Sequence, residues 1–296
     1  MITAKDLLLT KYAKVDVKDT ISKMLGKTKE ATYYAVVFDG KKYVGVIGKR
    51  FLITARINPE QMKVNNILKR RHKAKTPLFV PELSLDTELP EICRLFAAAD
   101  VHVLPVIEKR GKAKNVLGVV DAHEAAGALG KFYAGVPASD VATMPAIVVH
   151  PNIELGYVIK IMGLKHIDRL PVVDKNNKIT GILSLADILR THHLRIRGKG
   201  QRTPRAAGHN EWAEPGYESG EKIDSLRAPI DSIMTHFPMV SCIKPETPIP
   251  EAIKQMEKDD VASLVLLEDD EPAGILTLRD VFTHFTKNAE KFLAGM

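Results

Sequence analysis

The sequence predicts an α/β (α+β) fold built from four copies of one strand–helix–strand–strand–helix unit. Two nearly identical segments, residues 181–187 and 274–280, have a glycine, two branched apolar residues, a hydroxyl residue and an aspartate three positions further on. Two weaker copies, residues 118–124 and 45–51, keep the glycine and the apolar pair. The four glycines, Gly45, Gly118, Gly181 and Gly274, are 73, 63 and 93 residues apart, which indicates a repeat with one insertion.

Each glycine belongs to the second strand of a predicted β-hairpin. In copy three, residues 170–173 are an apolar strand, residues 174–178 a polar turn and residues 179–183 the returning strand. The other hairpins pair residues 34–38 with 43–47, 103–107 with 116–120, and 264–267 with 274–276. An amphipathic helix is expected before each hairpin, as in the 3-4 spacing of Ile249, Ala252, Ile253 and Met256. A second helix follows each glycine strand and begins near Ser184 in copy three.

This unit resembles the CBS domain, whose pattern is an apolar strand ending in Pro-Val-Val-Asp, a turn, and Gly-apolar-apolar-[Ser/Thr]-x-x-Asp. Copy three matches it in Arg169-Leu170-Pro171-Val172-Val173-Asp174 and in residues 181–187. The resemblance implies two pseudo-twofold Bateman modules with four CBS repeats. The predicted repeats are residues 1–62 (degenerate), 63–130, 137–194 and 230–296, with an insertion at 195–229.

The hydroxyl and aspartate at this spacing have two interpretations. They form a helix-capping pattern, and they also suit a nucleotide, because a helix N-terminus attracts phosphate and a carboxylate accepts hydrogen bonds from ribose. Recurrence after a glycine strand favours the nucleotide interpretation for Ser184 with Asp187 and for Thr277 with Asp280. The resemblance gives these positions the same roles and implies that Arg169 faces phosphate. Copy four has Ser263 in its place, with Arg279 as the remaining cation.

The ligand expected at copies three and four is AMP, ADP, ATP or an S-adenosylmethionine-like compound, and no cofactor is required. Copy two has Asp121 and Glu124 instead of the hydroxyl and aspartate, so we expect a nucleoside or thioether such as an S-adenosyl compound there. Copy one has Gly48 and Phe51, and no site of the family type is expected.

Charge is distributed unevenly along the chain. Residues 1–136 contain 24 Lys and Arg against 14 Asp and Glu, a net charge of +10, and residues 137–296 contain 19 against 22, a net of −3. The basic half predicts a polyanionic partner such as RNA, although solvated surface is the alternative for any one cluster. The candidate RNA-contacting residues are Lys69, Arg70, Arg71, Lys73, Lys75, Lys109, Arg110, Lys112, Lys114, Arg195, Arg197, Lys199, Arg202 and Arg205. The last five belong to the insertion, which is a solvated linker or, because it contains Trp212 and Tyr217, a docking element.

Several classes of protein are not expected. The sequence has no HExxH, GxSxG, GxxxxGK[ST] or GxGxxG pattern, and Cys93 and Cys242 stand apart from any ligand spacing, so neither a catalytic nor a metal site is expected. No run of 18 apolar residues predicts a membrane span. The leading hypothesis is a cytoplasmic, non-enzymatic regulator that senses an adenosyl ligand through its second module and contacts a macromolecule through its first. An RNA- or ribosome-binding stress or dormancy factor, a regulatory subunit of an enzyme or kinase complex, and assembly as a homodimer stay open.

Overall fold

The computed structural model describes residues 2–28, 34–48, 62–72, 80–99, 101–111, 113–165, 167–189 and 226–294. The helices are α1 Ile21–Leu25, α2 Val64–His72, α3 Leu89–Ala99, α4 Ala122–Leu129, α5 Leu155–Lys165, α6 Ile249–Lys258, α7 Leu278–Lys287 and α8 Ala289–Ala294. The strands are β1 Lys14–Asp16, β2 Ala35–Asp39, β3 Lys42–Ile47, β4 Val103–Arg110, β5 Ala113–Asp121, β6 Arg169–Val173, β7 Ile179–Ser184, β8 Thr235–His236, β9 Cys242–Ile243, β10 Ser263–Glu268 and β11 Glu271–Thr277. Residues 185–189 are also helical.

The four predicted hairpins are confirmed, and they share one irregularity. Strands β2 and β3, β4 and β5, β6 and β7, and β10 and β11 pair antiparallel. In every copy the register shifts immediately after the residue that pairs with the recurrent glycine. These pairs are Val37 with Gly45, Val106 with Gly118, Val172 with Gly181, and Leu266 with Gly274. The same bulge in four hairpins shows that the copies share a backbone plan as well as a sequence pattern.

A short parallel strand lies beside the first strand of each hairpin. In copies one and four it is β1, beside β2, and β9, beside β10. In copies two and three it is reduced to single bridges, Leu83 to Val106 and Val149 to Val172. With the helix that follows this strand and the helix after the hairpin, copies two, three and four show the predicted strand–helix–strand–strand–helix order. The mixed α/β fold is therefore confirmed.

In copies two, three and four, the strand that contains the glycine has a second neighbour besides its hairpin partner. We call this neighbour the lead segment, because in chain order it comes before the parallel strand of another copy. Leu9 bridges Val119, β8 pairs with β7 through Thr235 and Ile182, and Thr143 bridges Ile275. This neighbour explains the recurrent glycine. A Cβ atom on Gly118 would lie 2.5 Å from the Leu9 carbonyl oxygen, and one on Gly181 would lie 2.6 Å from that of Thr235.

The chain divides into two compact units, residues 1–146 with 241–296, and residues 147–240. In the first unit the helices of copies two and four share one core, in which Phe96 of α3 stacks on Phe282 of α7 with ring centroids 5.0 Å apart. The buried Tyr133 hydroxyl donates to the Val281 carbonyl at 3.0 Å. The buried residues of the second unit include Val158 and Met162 of α5 and Leu170 and Leu183 of the hairpin. The predicted domain boundaries stay predictions.

Among the helices that the structure describes, none has the length and apolar composition needed to cross a bilayer.

Candidate nucleotide-binding sites

The hydroxyl and aspartate of copy four meet at the start of α7. Thr277 is the N-cap of this helix, and its Oγ1 accepts from the Asp280 backbone N–H at 3.1 Å. In return, Oδ2 of Asp280 accepts from the backbone N–H of Thr277 at 2.9 Å and from its hydroxyl at 2.7 Å. The capping interpretation of the spacing is thus realised as a capping box. It fixes the carboxylate at the end of strand β11.

The second oxygen of Asp280 faces the lead segment. Oδ1 accepts from the Thr143 hydroxyl at 3.2 Å. Burial raises the pKa of the Asp280 carboxyl above its usual 3.8, although the bonds from Thr277 and Thr143 and the charge of Arg279 act in the opposite direction. An ionised carboxylate has about four acceptor positions, and these hydrogen bonds occupy three of them.

Copy three repeats this arrangement with different residues. Ser184 Oγ accepts from the Asp187 N–H at 3.1 Å, and Oδ2 of Asp187 accepts from the Ser184 N–H at 2.8 Å and from its hydroxyl at 2.6 Å. Oδ1 of Asp187 accepts from Thr235 Oγ1 at 3.1 Å. Ser184 is 6% exposed and Asp187 is 5% exposed, so this site is more deeply set than that of copy four, where Thr277 and Asp280 are half-buried.

The position opposite the N-cap distinguishes the two sites. Arg169 pairs with Ser184 across β6 and β7, so both side chains lie on one face of the hairpin. Burial lowers the pKa of Arg169, while the carboxylates of Asp187 and Asp168 raise it. In copy four, Ser263 pairs with Thr277 in the same way. Ser263 is 4% exposed, and its hydroxyl has no hydrogen-bond partner within the described part of the chain.

Arg279 is the cation predicted for copy four, and one of its donors is directed away from Asp280. Its Nε donates to the Ala97 carbonyl of α3 at 3.2 Å, on the exposed surface. Its charge still lowers the pKa of Asp280. The structure therefore brings Thr277, Asp280 and Ser263 together and turns this donor of Arg279 towards a neighbouring helix.

The first unit contains a cavity of about 460 Å³ beside the corresponding residues of copy two, Asp121 and Glu124. It is lined by Leu9, Lys11, Tyr12, Ala13, Lys27, Tyr34, Ala35, Val36, Val103, Val119, Asp121, His123, Glu124, Glu257 and Asp260. Asp121 caps α4 by accepting from the His123 N–H at 2.8 Å. The His123 ring lies between Asp121 Oδ1, at 3.2 Å from Nδ1, and the Val261 carbonyl, at 3.0 Å from Nε2. Burial lowers the pKa of His123, but these two acceptors outweigh it, so the pKa is raised overall.

In copy one, the Tyr34 ring fills the place of the hydroxyl. A Cβ atom added to Gly48 would overlap the ring carbon Cε1 of Tyr34, so no side chain fits there. This packing gives a physical reason for expecting no site of the family type in copy one. Phe51 lies outside the described residues.

The structure describes four side chains of the predicted RNA surface. Lys69 is exposed on α2, and Lys109 is exposed in the copy-two hairpin. Arg110 and Lys114 each form an ion pair, with Glu108 at 2.9 Å and with Glu82 at 2.7 Å. The remaining candidates, Arg70, Arg71, Lys73, Lys75, Lys112, Arg195, Arg197, Lys199, Arg202 and Arg205, have side chains outside the described residues, as do Trp212 and Tyr217.

Sequence reasoning missed the two lead-segment threonines, Thr143 and Thr235. Each hydrogen-bonds the carboxylate of a candidate site from a segment that is remote in sequence. A signal was present, because each threonine is followed within three residues by a proline, Pro145 or Pro238. Across the described ranges, no group of three or more His, Cys, Asp or Glu side chains is arranged to hold a metal ion.

The comparisons with known proteins decide the family. The CBS domain profile matches residues 138–193 and 230–287, which contain the candidate sites of copies three and four. The chain therefore contains two CBS domains. Over 96% of its length it superimposes with a TM-score of 0.70 on all of MJ1225 from Methanocaldococcus jannaschii, which was proposed as an archaeal homologue of γ-AMPK, at 18% identity. A Pyrococcus horikoshii protein, uncharacterized and conserved, superimposes over 96% of this chain and 99% of its own with a TM-score of 0.57 and 17% identity.

Two sequence relatives of this CBS-domain protein are uncharacterized. MJ1232 of Methanocaldococcus jannaschii is 30% identical over 102 residues, which are 34% of this chain and 32% of the relative. A 33.4 kDa protein in the ribosomal RNA operon of Thermofilum pendens is 22% identical over 223 residues, which are 72% of this chain and 64% of the relative. The matches thus span less than two thirds of the length of these relatives.

Proposed function

We propose that this CBS-domain protein is a non-enzymatic regulator that binds an adenine nucleotide or an S-adenosyl compound at copies three and four. The observation that carries the proposal is the repeated site. Two hairpins independently place a capped carboxylate, Asp187 or Asp280, against a lead-segment hydroxyl, Thr235 or Thr143. A capping box alone needs no hydroxyl from a remote segment, so the recurrence of this third group supports a shared ligand-binding role.

The hydrogen bonds refine how ribose would be held. At Asp280 the capping box uses both positions of Oδ2, and Thr143 uses one of Oδ1. One position on Oδ1 therefore remains for a ribose hydroxyl, and the oxygen of Thr143 lies beside it as a second acceptor. The 2′ and 3′ hydroxyls would then be shared between the carboxylate and the threonine instead of both binding the carboxylate.

Calorimetric titration tests this proposal. AMP, adenosine and S-adenosylmethionine are titrated into the wild-type protein and into the double variant Asp187→Ala/Asp280→Ala. We expect the wild type to bind at least one of them and the double variant to lose the binding at copies three and four, so that any binding that remains belongs to copy two. The matched control is Glu251→Ala, which removes an exposed carboxylate from the first turn of α6, where no glycine strand precedes the helix. Undiminished binding in the double variant would refute the placement of the sites.

The regulatory part of the proposal is that ligand binding changes the affinity for a macromolecular partner of the first module. Such coupling requires the ligand to bind two states of the protein with different affinities. Co-purification from the native source identifies the partner, and its affinity is then measured with and without the nucleotide. Equal affinities would show that the protein binds the nucleotide and the partner without coupling the two binding events. The role of a regulatory subunit in an enzyme or kinase complex would be recognised from the same co-purified partner.

Binding of RNA is the second candidate function, and two observations favour it. The first 136 residues have a net charge of +10, and the Thermofilum pendens relative belongs to a ribosomal RNA operon. Co-sedimentation with ribosomes at two salt concentrations tests it, because a contact with phosphates weakens steeply as salt increases. Lys69→Glu/Lys109→Glu should reduce co-sedimentation, whereas Lys244→Glu, which changes an exposed lysine of residues 137–296, should not. Co-sedimentation that does not respond to salt or to the first variant would contradict RNA binding.

A further inference from the structure

Helix α5 of copy three has an exposed apolar face. Tyr157, Ile161 and Leu164, which we call the apolar row, are spaced by four and three residues, so they are neighbours along one side of the helix. Tyr157 is 57% exposed and Leu164 is 70% exposed, while Ile161 between them is half-buried. Val158 and Met162, which are buried, belong to a different row of the same helix. The apolar row is therefore separate from the side of α5 that packs into its own unit.

The same positions are polar in copy four. When the two hairpins are aligned on their N-cap pairs, the residues of α6 that correspond to the apolar row are Glu251, Gln255 and Lys258. Their exposure matches that of their counterparts, since the first and last are exposed and the middle one is half-buried. The fold thus leaves this row in contact with solvent, and copy four fills it with polar side chains. Apolar side chains at the same place indicate an interaction surface.

The chain outside the described residues ends at this surface. Residues 190–225 precede Leu226, which is the first described residue after the insertion. A Cβ atom on Gly156 would lie 3.2 Å from the Leu226 carbonyl oxygen. The end of the insertion therefore lies against the first turn of α5, next to Tyr157.

The last part of the insertion has a composition that complements this surface. Residues 211–225 contain five acidic residues and one lysine, together with the aromatic residues Trp212 and Tyr217. Lys160 and Lys165 are exposed on α5, and Lys160 lies between the two ends of the apolar row. The segment supplies aromatic side chains that gain from burial and charges opposite to those of the helix.

The length of the insertion allows this contact. Trp212 and Tyr217 precede Leu226 by 14 and 9 residues, and nine extended residues span up to about 30 Å. Helix α5 has 11 residues and is therefore about 16 Å long. Either aromatic side chain can reach any position of the apolar row.

We propose that residues 211–225 of this chain dock on the apolar row of its own α5. Trp212 and Tyr217 cover the exposed apolar side chains, and the acidic residues lie beside Lys160. This inference goes beyond the proposed function, because it needs no ligand at copies three or four. It gives the insertion a docking surface on the chain itself instead of on an external partner.

Fluorescence of the intact chain tests this proposal. Trp212 is the only tryptophan of the sequence, so its emission reports on this segment alone. In the wild type we expect an emission maximum at shorter wavelength, and weaker quenching by acrylamide, than in the urea-unfolded chain. Tyr157→Glu/Leu164→Lys introduces the residue types of copy four and should shift both values to those of the unfolded chain. The matched control is Met239→Glu, which changes a 79% exposed apolar side chain of the same unit and should leave both values unchanged.

The outcomes separate this docking from its alternatives. Wild-type emission that already equals that of the unfolded chain, shielding that survives the double variant, or an equal loss in Met239→Glu would overturn the inference. Shielding that grows with protein concentration would place the segment on a second copy of the chain and would overturn it as well. Lys160→Glu, which changes only a charge, replaces the double variant if the latter lacks the wild-type circular dichroism spectrum. It should increase quenching by acrylamide, and unchanged quenching would contradict the docking.

Discussion

The substitution Gly181→Ala tests whether the lead segment holds copy three together. A Cβ atom at this position would lie 2.6 Å from the Thr235 carbonyl oxygen and 3.0 Å from Met234 Sδ. A carbon and a carbonyl oxygen ordinarily approach to about 3.3 Å, so strand β8 would have to move away by about 0.7 Å. This movement would strain the pairing of Ile182 with Thr235 and the hydrogen bond from Thr235 to Asp187.

The expected cost follows from these contacts. Overpacking of this kind costs about 1–3 kcal/mol. Alanine also restricts the unfolded chain more than glycine does, which stabilises the folded protein by about 0.4–1 kcal/mol. We therefore expect Gly181→Ala to lower the free energy of unfolding by about 1–2 kcal/mol. The matched control is Gly163→Ala in α5 of the same unit, where a Cβ atom meets nothing within 4 Å. It should stabilise the protein by up to about 1 kcal/mol.

Urea denaturation followed by far-ultraviolet circular dichroism compares the two variants. We expect the unfolding midpoint of Gly181→Ala to fall below that of the wild type and the midpoint of Gly163→Ala to rise above it. If both glycine variants shift the midpoint equally, the close approach of the lead segment does not explain the glycine, and the argument from the repeat is wrong.

Three further predictions concern polar groups of the first unit. Because the pKa of His123 is raised in the folded protein, the protonated ring stabilises the fold fully below the unfolded pKa of 6.5, and this stabilisation is lost as pH rises through the raised value. The denaturation midpoint of the wild type should therefore exceed that of His123→Gln at about pH 5.5, and the difference should be lost by about pH 9. Because burial raises the pKa of Asp280 above 3.8, ionisation there opposes folding, and wild type should lose stability relative to Asp280→Asn as pH rises from 3.8 through the raised value. A difference that stays constant over this range would show that the carboxyl is not perturbed. Tyr133→Phe removes a donor to the Val281 carbonyl and a partner of His284, so it should cost about 1–3 kcal/mol in thermal or urea unfolding, and a neutral effect would mean that the groups left behind are hydrogen-bonded by water.

Local sequence signals predicted the parts of the fold that are local. The hairpin of copy three was expected at residues 170–173 and 179–183 and is found at Arg169–Val173 and Ile179–Ser184. Alternating apolar residues, a polar turn and the glycine all lie within a short window, so a single sequence contains what is needed to place them. The capping box at Thr277 and Asp280 was visible for the same reason, since its two residues are three apart.

Contacts between remote segments were not predictable in this way. Thr143 and Thr235 complete the candidate sites across 137 and 48 residues of chain, and nothing in the local pattern indicates which strand they will join. The direction of Arg279 likewise depends on the packing of α7 against α3, which places the Ala97 carbonyl within its reach. The sequence therefore predicted the residues of each site that share a hairpin and helix, and it missed those brought in by strand pairing.

The most direct measurement of the central claim is a crystal structure of the protein grown with AMP and adenosine. The account predicts density for a ribose whose hydroxyls lie within hydrogen-bond distance of Asp187 and Thr235 in copy three and of Asp280 and Thr143 in copy four. Ligand density at neither carboxylate, in crystals whose protein binds the same ligand in solution, would contradict it.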